Sequence, residues 1–86
     1  MELKDTFELM TSIDYKERFK AEYLQTKIRY EKLKTFNNKI EASLLSENVK
    51  EPVHDCPLEL LRKQQNLMGQ YLGVLELRAV IEGVEL

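Results

Sequence analysis

The sequence predicts an all-α protein: a two-helix antiparallel hairpin with a short N-terminal extension or helix, assembling into a helical homo-oligomer. Three observations carry this. Two long stretches repeat their apolar residues at helical spacing, and a polar break containing both prolines separates them. Glycine and proline are scarce, three and two residues in 86. A sandwich or barrel would need turn residues about every ten positions. The second stretch also carries more apolar surface than one partner helix can cover, since such a contact takes an arc of about 100°.

The elements follow in chain order as one 86-residue domain. Residues 1–12 form an N-terminal extension, whose Phe7, Leu9 and Met10 are able to fold it back over the hairpin as a short helix. The first long helix covers 14–45. "DYKE" offers Asp14 as N-cap and Glu17 at capping-box spacing. Phe19, Tyr23, Tyr30, Leu33, Phe36, Ile40 and Leu44 recur in steps of three, four and seven along one face, with Leu24 and Ile28 beside it. Asn37 and Asn38 are poor helix formers near its far end.

Residues 46–56 are the loop, within "SENVKEPVHDCP". The second helix covers 57–82, with Pro57 in its first turn, Asp55 or Cys56 as N-cap and Gly83 as its stop. Leu61, Met68 and Leu75 lie seven apart on one stripe, and Leu60, Leu67, Val74 and Ile81 on the adjacent one. A lone hairpin of this size buries too little to be stable, so the surplus surface is expected to meet other copies of the chain. Gly69 and Gly73 share a helix face. Each costs about 1 kcal/mol there relative to Ala, which close approach of another backbone or a flat ligand would repay.

Composition narrows the function. Charged residues make up 33% of the chain and hydrophobic ones 43%, the balance of a folded protein. The net charge of −2 gives no support to bulk DNA or RNA binding. Residues 14–41 nevertheless hold eight Lys/Arg against five Asp/Glu, while the remainder is acidic. One cysteine, an N-terminus that mixes charges, and the absence of any apolar run near the ~20 residues of a membrane span together predict a cytoplasmic protein.

No motif of phosphate loops, serine hydrolases or zinc proteases is present, and no cofactor is implied. "HDC", His54–Cys56, contains metal-ligand types, but the chain has no second His or Cys to complete a site. Glu22 and Glu31 lie on a charged surface with no burial pattern for acid–base work. Arg78 and Glu82 are spaced to pair on one helix face. Two cation stripes run along the first helix: Lys20, Lys27 and Lys34; and Arg18, Lys32 and Lys39 with Gln25 in the gap. Tyr15, Tyr23 and Tyr30 run beside them. Such stripes are either a solvated flank or a clamp, in which cations hold a phosphate while a ring stacks on a base.

"ERFKAEYLQTKIRYEKLKTF", followed after the loop by "CPLELLRKQQNLMGQYLGVLELRAVIEGVEL", resembles the helical hairpin of phage anti-CBASS cyclic-nucleotide sponges, shared with anti-Thoeris sponges. The resemblance covers about residues 14–86. It implies a compact oligomer, typically a hexamer. It implies pockets between protomers that sequester cyclic dinucleotides, cyclic trinucleotides or cyclic ADP-ribose-type signals without cleaving them. The immune effector then stays inactive. The chain is similar to the hairpin-only branch, without the β-rich domain of the anti-Thoeris proteins.

The resemblance also implies residue roles. Tyr15 or Tyr23 matches a tyrosine that stacks on a base, and Lys32 matches a phosphate ligand. Arg78, with Thr35, matches a separate pocket for cyclic trinucleotides. The longer loop and the acidic N-terminal extension depart from the family pattern. The other reading of the residues is a helical hairpin that binds a protein through its apolar face and takes no nucleotide.

Overall fold

Asp14, Pro57 and Gly83 mark where the long helices begin and stop. The computed structural model describes residues 1–86 and is all-helical. A 3₁₀ turn at Leu3–Thr6 leads into the short helix α1, Phe7–Met10. The long helices are α2, Tyr15–Leu45, and α3, Leu58–Glu82. At 1.5 Å per residue α2 is about 46 Å long, close to the 50 Å longest dimension of the molecule.

Asp14 caps α2: its carboxylate accepts from the Lys16 N–H at 3.0 Å. The capping box is not completed by Glu17, because the Asp14 N–H donates to Ser12 Oγ at 3.1 Å instead. Gly83 ends α3 with φ 71°, a left-handed conformation that glycine adopts without strain. The start of α3 differs from expectation. Pro57, not Asp55 or Cys56, is the N-cap, with ψ 149°. Its carbonyl accepts from the N–H groups of Leu60 and Leu61. The ring thus stands just before the first turn rather than within it.

α2 and α3 pack antiparallel as a hairpin. Tyr23 lies opposite Glu76, Tyr30 opposite Gly69, and Asn37 opposite Leu61 and Gln65. The core contains Phe19, Tyr23, Leu72, Leu75 and Ala79, with Leu24, Tyr30 and Val84 packed against it. Gly69 is small for a reason: a Cβ there would stand 3.3 Å from Tyr30 Cε1. Gly73 faces open space.

The two apolar stripes of α3 separate cleanly. Leu75 is buried and Leu61 and Met68 are half-buried against α2. Leu60, Leu67, Val74 and Ile81 remain 54–77% exposed, with Tyr71, Leu77 and Val80 beside them.

Asn37, a weak helix former by propensity, is completely buried without breaking α2. Its Nδ2 donates to the Leu61 carbonyl at 3.2 Å and to Gln65 Oε1 at 3.1 Å. Arg62 donates to the same Gln65 oxygen at 2.7 Å, and to Asn38 and Glu41. This network ties the loop end of the hairpin together.

The N-terminal segment folds back, but onto α2 alone. Thr6 is its buried anchor, and its hydroxyl accepts from Gln25 Nε2 at 2.9 Å. Arg18 Nη1 donates to the Ser12 carbonyl at 2.8 Å. Phe7 stays 61% exposed, so it does not make the packing contact expected of it.

Candidate functional site

The N-terminal segment divides the cation stripe of α2. It engages Arg18 and Gln25. Lys32 and Lys39 beyond it stay exposed. Two hollows adjoin there. One, of about 440 Å³, is lined by Met1, Leu24, Lys27, Ile28, Glu31 and Lys32. The other, of about 360 Å³, is lined by Glu31, Lys32, Thr35, Phe36 and Lys39. They share Glu31 and Lys32 and form one groove along α2. Each hollow by itself lies in the range of small-molecule sites, about 300–1,000 Å³. Three lysines against one glutamate make the groove cationic, and no salt bridge engages any of these lysines. Phe36 supplies an aromatic surface, packed edge-on against His54 of the loop.

Lys32 and Thr35 are therefore brought together. Tyr15 and Arg78 meet elsewhere, at the open end of the hairpin. Arg78 Nε and Nη2 donate to the two carboxylate oxygens of Glu82, at 2.7 and 3.2 Å. The guanidinium lies over the Phe19 ring, 4.7 Å from its centroid. The hydrogen bonds to Glu82 raise the Arg78 pKa, and those from Arg78 hold Glu82 below the usual carboxylate range. Tyr15, 48% exposed, lies near the same carboxylate and adds, after Arg78, to the lowering of the Glu82 pKa. It starts α2 and Lys32 lies 17 residues on, about 25 Å along the axis.

Tyr23 has a different place. It is 6% exposed, and its hydroxyl donates to Glu76 Oε2 at 2.7 Å. That bond, with burial, pushes its pKa up to about 12. Lys27 Nζ lies 5.8 Å from the centroid of its ring. The ring is committed to the core of this chain, which leaves Tyr15 as the exposed one of the two candidate tyrosines.

The largest hollow, about 530 Å³, is on α3 and mostly apolar, lined by Leu60, Lys63, Gln64, Leu67, Met68 and Tyr71. It continues the exposed stripe. At "HDC", His54 Nδ1 lies 2.6 Å from the Cys56 carbonyl and Nε2 lies 3.0 Å from Glu51 Oε1. The imidazole thus holds the loop.

A family model described as Sequestin matches residues 13–81. The chain belongs to the Sequestin family. The match spans α2, the loop and all of α3 but its last residue, and with them Lys32, Thr35 and Arg78, while Glu82 lies just beyond it. The description agrees with the sponge family that the sequence resembles, and it names sequestration rather than a reaction. Neither the curated proteins nor the solved structures include a match. No helix is long and apolar enough to cross a membrane.

Three features here were not expected from the sequence. Gln25 anchors the N-terminal segment, Phe36 and Lys39 complete the groove, and the Arg78 guanidinium lies over the Phe19 ring. Lys39 carried a signal, since it stands seven residues from Lys32 on the same stripe.

Proposed function

We propose that this Sequestin member is a phage anti-defence protein of the bacterial cytoplasm. It binds cyclic oligonucleotide immune signals, cyclic dinucleotides and cyclic trinucleotides, and withholds them from CBASS-type effectors without cleaving them. Cyclic ADP-ribose-type signals are the other ligand of this class. The observation that carries the reading is the α2 groove. Lys32 and Lys39 stand there without carboxylate partners, beside Thr35 and Phe36. Cations next to an aromatic surface suit a phosphodiester carrying a base.

The proposed ligand set spans more than one chain. A cyclic dinucleotide that touches both Tyr15 and Lys32 has to take them from different protomers, because about 25 Å of helix separates them. The uncovered stripe of α3 supports the assembly this needs, a homo-oligomer for which we propose the hexamer of the resemblance. In this reading Lys32 is the phosphate ligand of the dinucleotide pocket, with Tyr15 stacking. Arg78 and Thr35, which also lie at different ends of the hairpin, belong to a trinucleotide pocket that likewise takes them from different protomers. The same stripe also favours a second reading, a hairpin that docks on another protein and binds no nucleotide.

Thermal unfolding with cyclic di-AMP and cyclic tri-AMP separates the two. At a hundred times Kd a ligand adds about 2.7 kcal/mol, a melting shift on the order of 10 °C for a domain of this size. Denaturing the complex is expected to return the nucleotide chemically intact. A panel of cyclic di- and trinucleotides that leaves the melting temperature unmoved would decide for the docking module, and recovery of a linear product would make the protein an enzyme.

A further inference from the structure

The guanidinium of Arg78 already holds an anion, and that anion belongs to the chain. Both oxygens of Glu82 are engaged, one by Nε at 2.7 Å and one by Nη2 at 3.2 Å. The Phe19 ring lies beneath the guanidinium, 4.7 Å from its carbon to the ring centroid. A phosphodiester presents two equivalent oxygens, and an arginine fork takes them as it takes a carboxylate.

Helix stability does not explain the carboxylate. Glu82 is the last residue of α3, where the helix dipole is negative and disfavours an anion. A cation four residues before the carboxylate is also the weaker order for such a pair. Arg78 is about half exposed, and exposed pairs of this kind contribute little. Glu82 is thus held firmly enough to occupy the fork and weakly enough to leave it.

We infer that Glu82 is a displaceable internal counter-ion of an anion site made by Arg78 on its Phe19 support. A phosphodiester oxygen pair takes over the fork, and the Glu82 side chain turns out to solvent. The inference rests on the assignment of Arg78 to the trinucleotide pocket and adds a residue that sets its selectivity. Chloride can sit in the fork but brings no further contact to offset the displacement of Glu82. Inorganic phosphate offers the same two oxygens but no base or sugar, so a ligand wins the exchange by its further contacts, and Glu82 thereby disfavours small inorganic anions.

The test is calorimetric titration of cyclic tri-AMP into the full chain and three variants. Glu82→Gln keeps the shape and removes the charge. It is expected to bind about threefold to tenfold more tightly than the parent, the range that losing one weak ion pair permits. Glu85→Gln makes the same change in net charge nearby and is expected to stay within about twofold. Arg78→Ala is expected to lose binding. Should Glu82→Gln fold poorly by circular dichroism, Glu82→Asp, whose shorter arm cannot span both nitrogens, is expected to tighten binding in the same direction.

Affinity in Glu82→Gln equal to or below that of the parent overturns the counter-ion and leaves the sponge reading intact. So does a chain that binds cyclic di-AMP but no cyclic tri-AMP in any variant. If neither nucleotide binds parent or variant, the sponge reading falls and this inference falls with it.

Discussion

Two tyrosines in one helix show what a residue's position decides. Tyr15 and Tyr23 have the same ring and both lie near the N-terminal end of α2. Tyr23 faces α3 and donates to Glu76, whereas Tyr15 is half exposed. The period of the sequence gives the face of Tyr23 but not the carboxylate that waits across the hairpin, since Glu76 lies 53 residues away. Removing the hydroxyl with Tyr23→Phe is expected to cost about 1–2 kcal/mol in urea unfolding, because the acceptor is charged. The pH dependence follows from the raised pKa. The hydroxyl bond contributes fully below the ordinary value of 10.0, and its contribution is lost as pH rises through about 12. Asn37 makes the complementary case. Its residue type predicts a weak point in the helix, yet it lies between Leu33 and Ile40 on the apolar face. Position prevails because its Nδ2 finds two acceptors on α3, while its Oδ1 is buried without a partner. Asn37→Ala strips a donor from Gln65 and the Leu61 carbonyl and is expected to cost about 1–3 kcal/mol in the same measurement. At the groove, Lys32→Ala is expected to weaken cyclic di-AMP binding about tenfold, the loss of one charge-assisted contact, while Arg78→Ala leaves it unchanged. Equal losses from the two variants would remove the distinction between the pockets.

At the scale of elements, the hairpin was legible because each helix carries its own period and its own stop. Asp14 and Gly83 act through bonds to neighbours a few residues away, so local sequence suffices to find them. What escaped were contacts across elements: the anchoring of residues 1–12 on Gln25, and the loop's attachment to α2. Neither leaves a periodic trace. The glycines divide in the same way. Gly69→Ala must move Tyr30, whereas Gly73→Ala meets nothing within its own chain. The free chain is therefore expected to gain about 0.5–1 kcal/mol from Gly73→Ala and less from Gly69→Ala, read as melting temperatures of dilute samples. The loop carries a pH dependence of its own. Both ring nitrogens of His54 face acceptors, so both bonds form only in the imidazolium. Hydrogen bonding to Glu51 and then to the Cys56 carbonyl raises its pKa, the Glu51 and Asp55 charges act the same way, and Phe36 of α2 packs on the ring. The latch is thus closed below the ordinary value of 6.5 and opens as pH rises through the raised one. NMR titration is expected to place the His54 midpoint above 6.5, and Glu51→Gln to bring it back down. A wild-type midpoint at or below the ordinary value would leave the loop without this latch.

At the scale of the molecule, the two apolar stripes of α3 were both legible, and only the structure separates them. One faces α2, and the other remains open from Leu60 to Ile81. Leu67→Glu combined with Val74→Glu places charges at the centre of that open stripe. Light scattering is expected to give the 10.2 kDa of one chain for the double variant and a multiple of it for the parent. A parent that scatters as a single chain at micromolar concentration would remove the assembly from the account. The distance between Tyr15 and Lys32 then has a consequence for dosage. If each complete pocket takes its parts from two chains, capture capacity grows faster than protein copy number until assembly saturates, and is proportional to it afterwards. A cell holding few copies leaves its signal almost untouched, and one holding many clears it abruptly. Under the proposed function, the timing of synthesis, alongside affinity for the ligand, would then set when the signal is withdrawn.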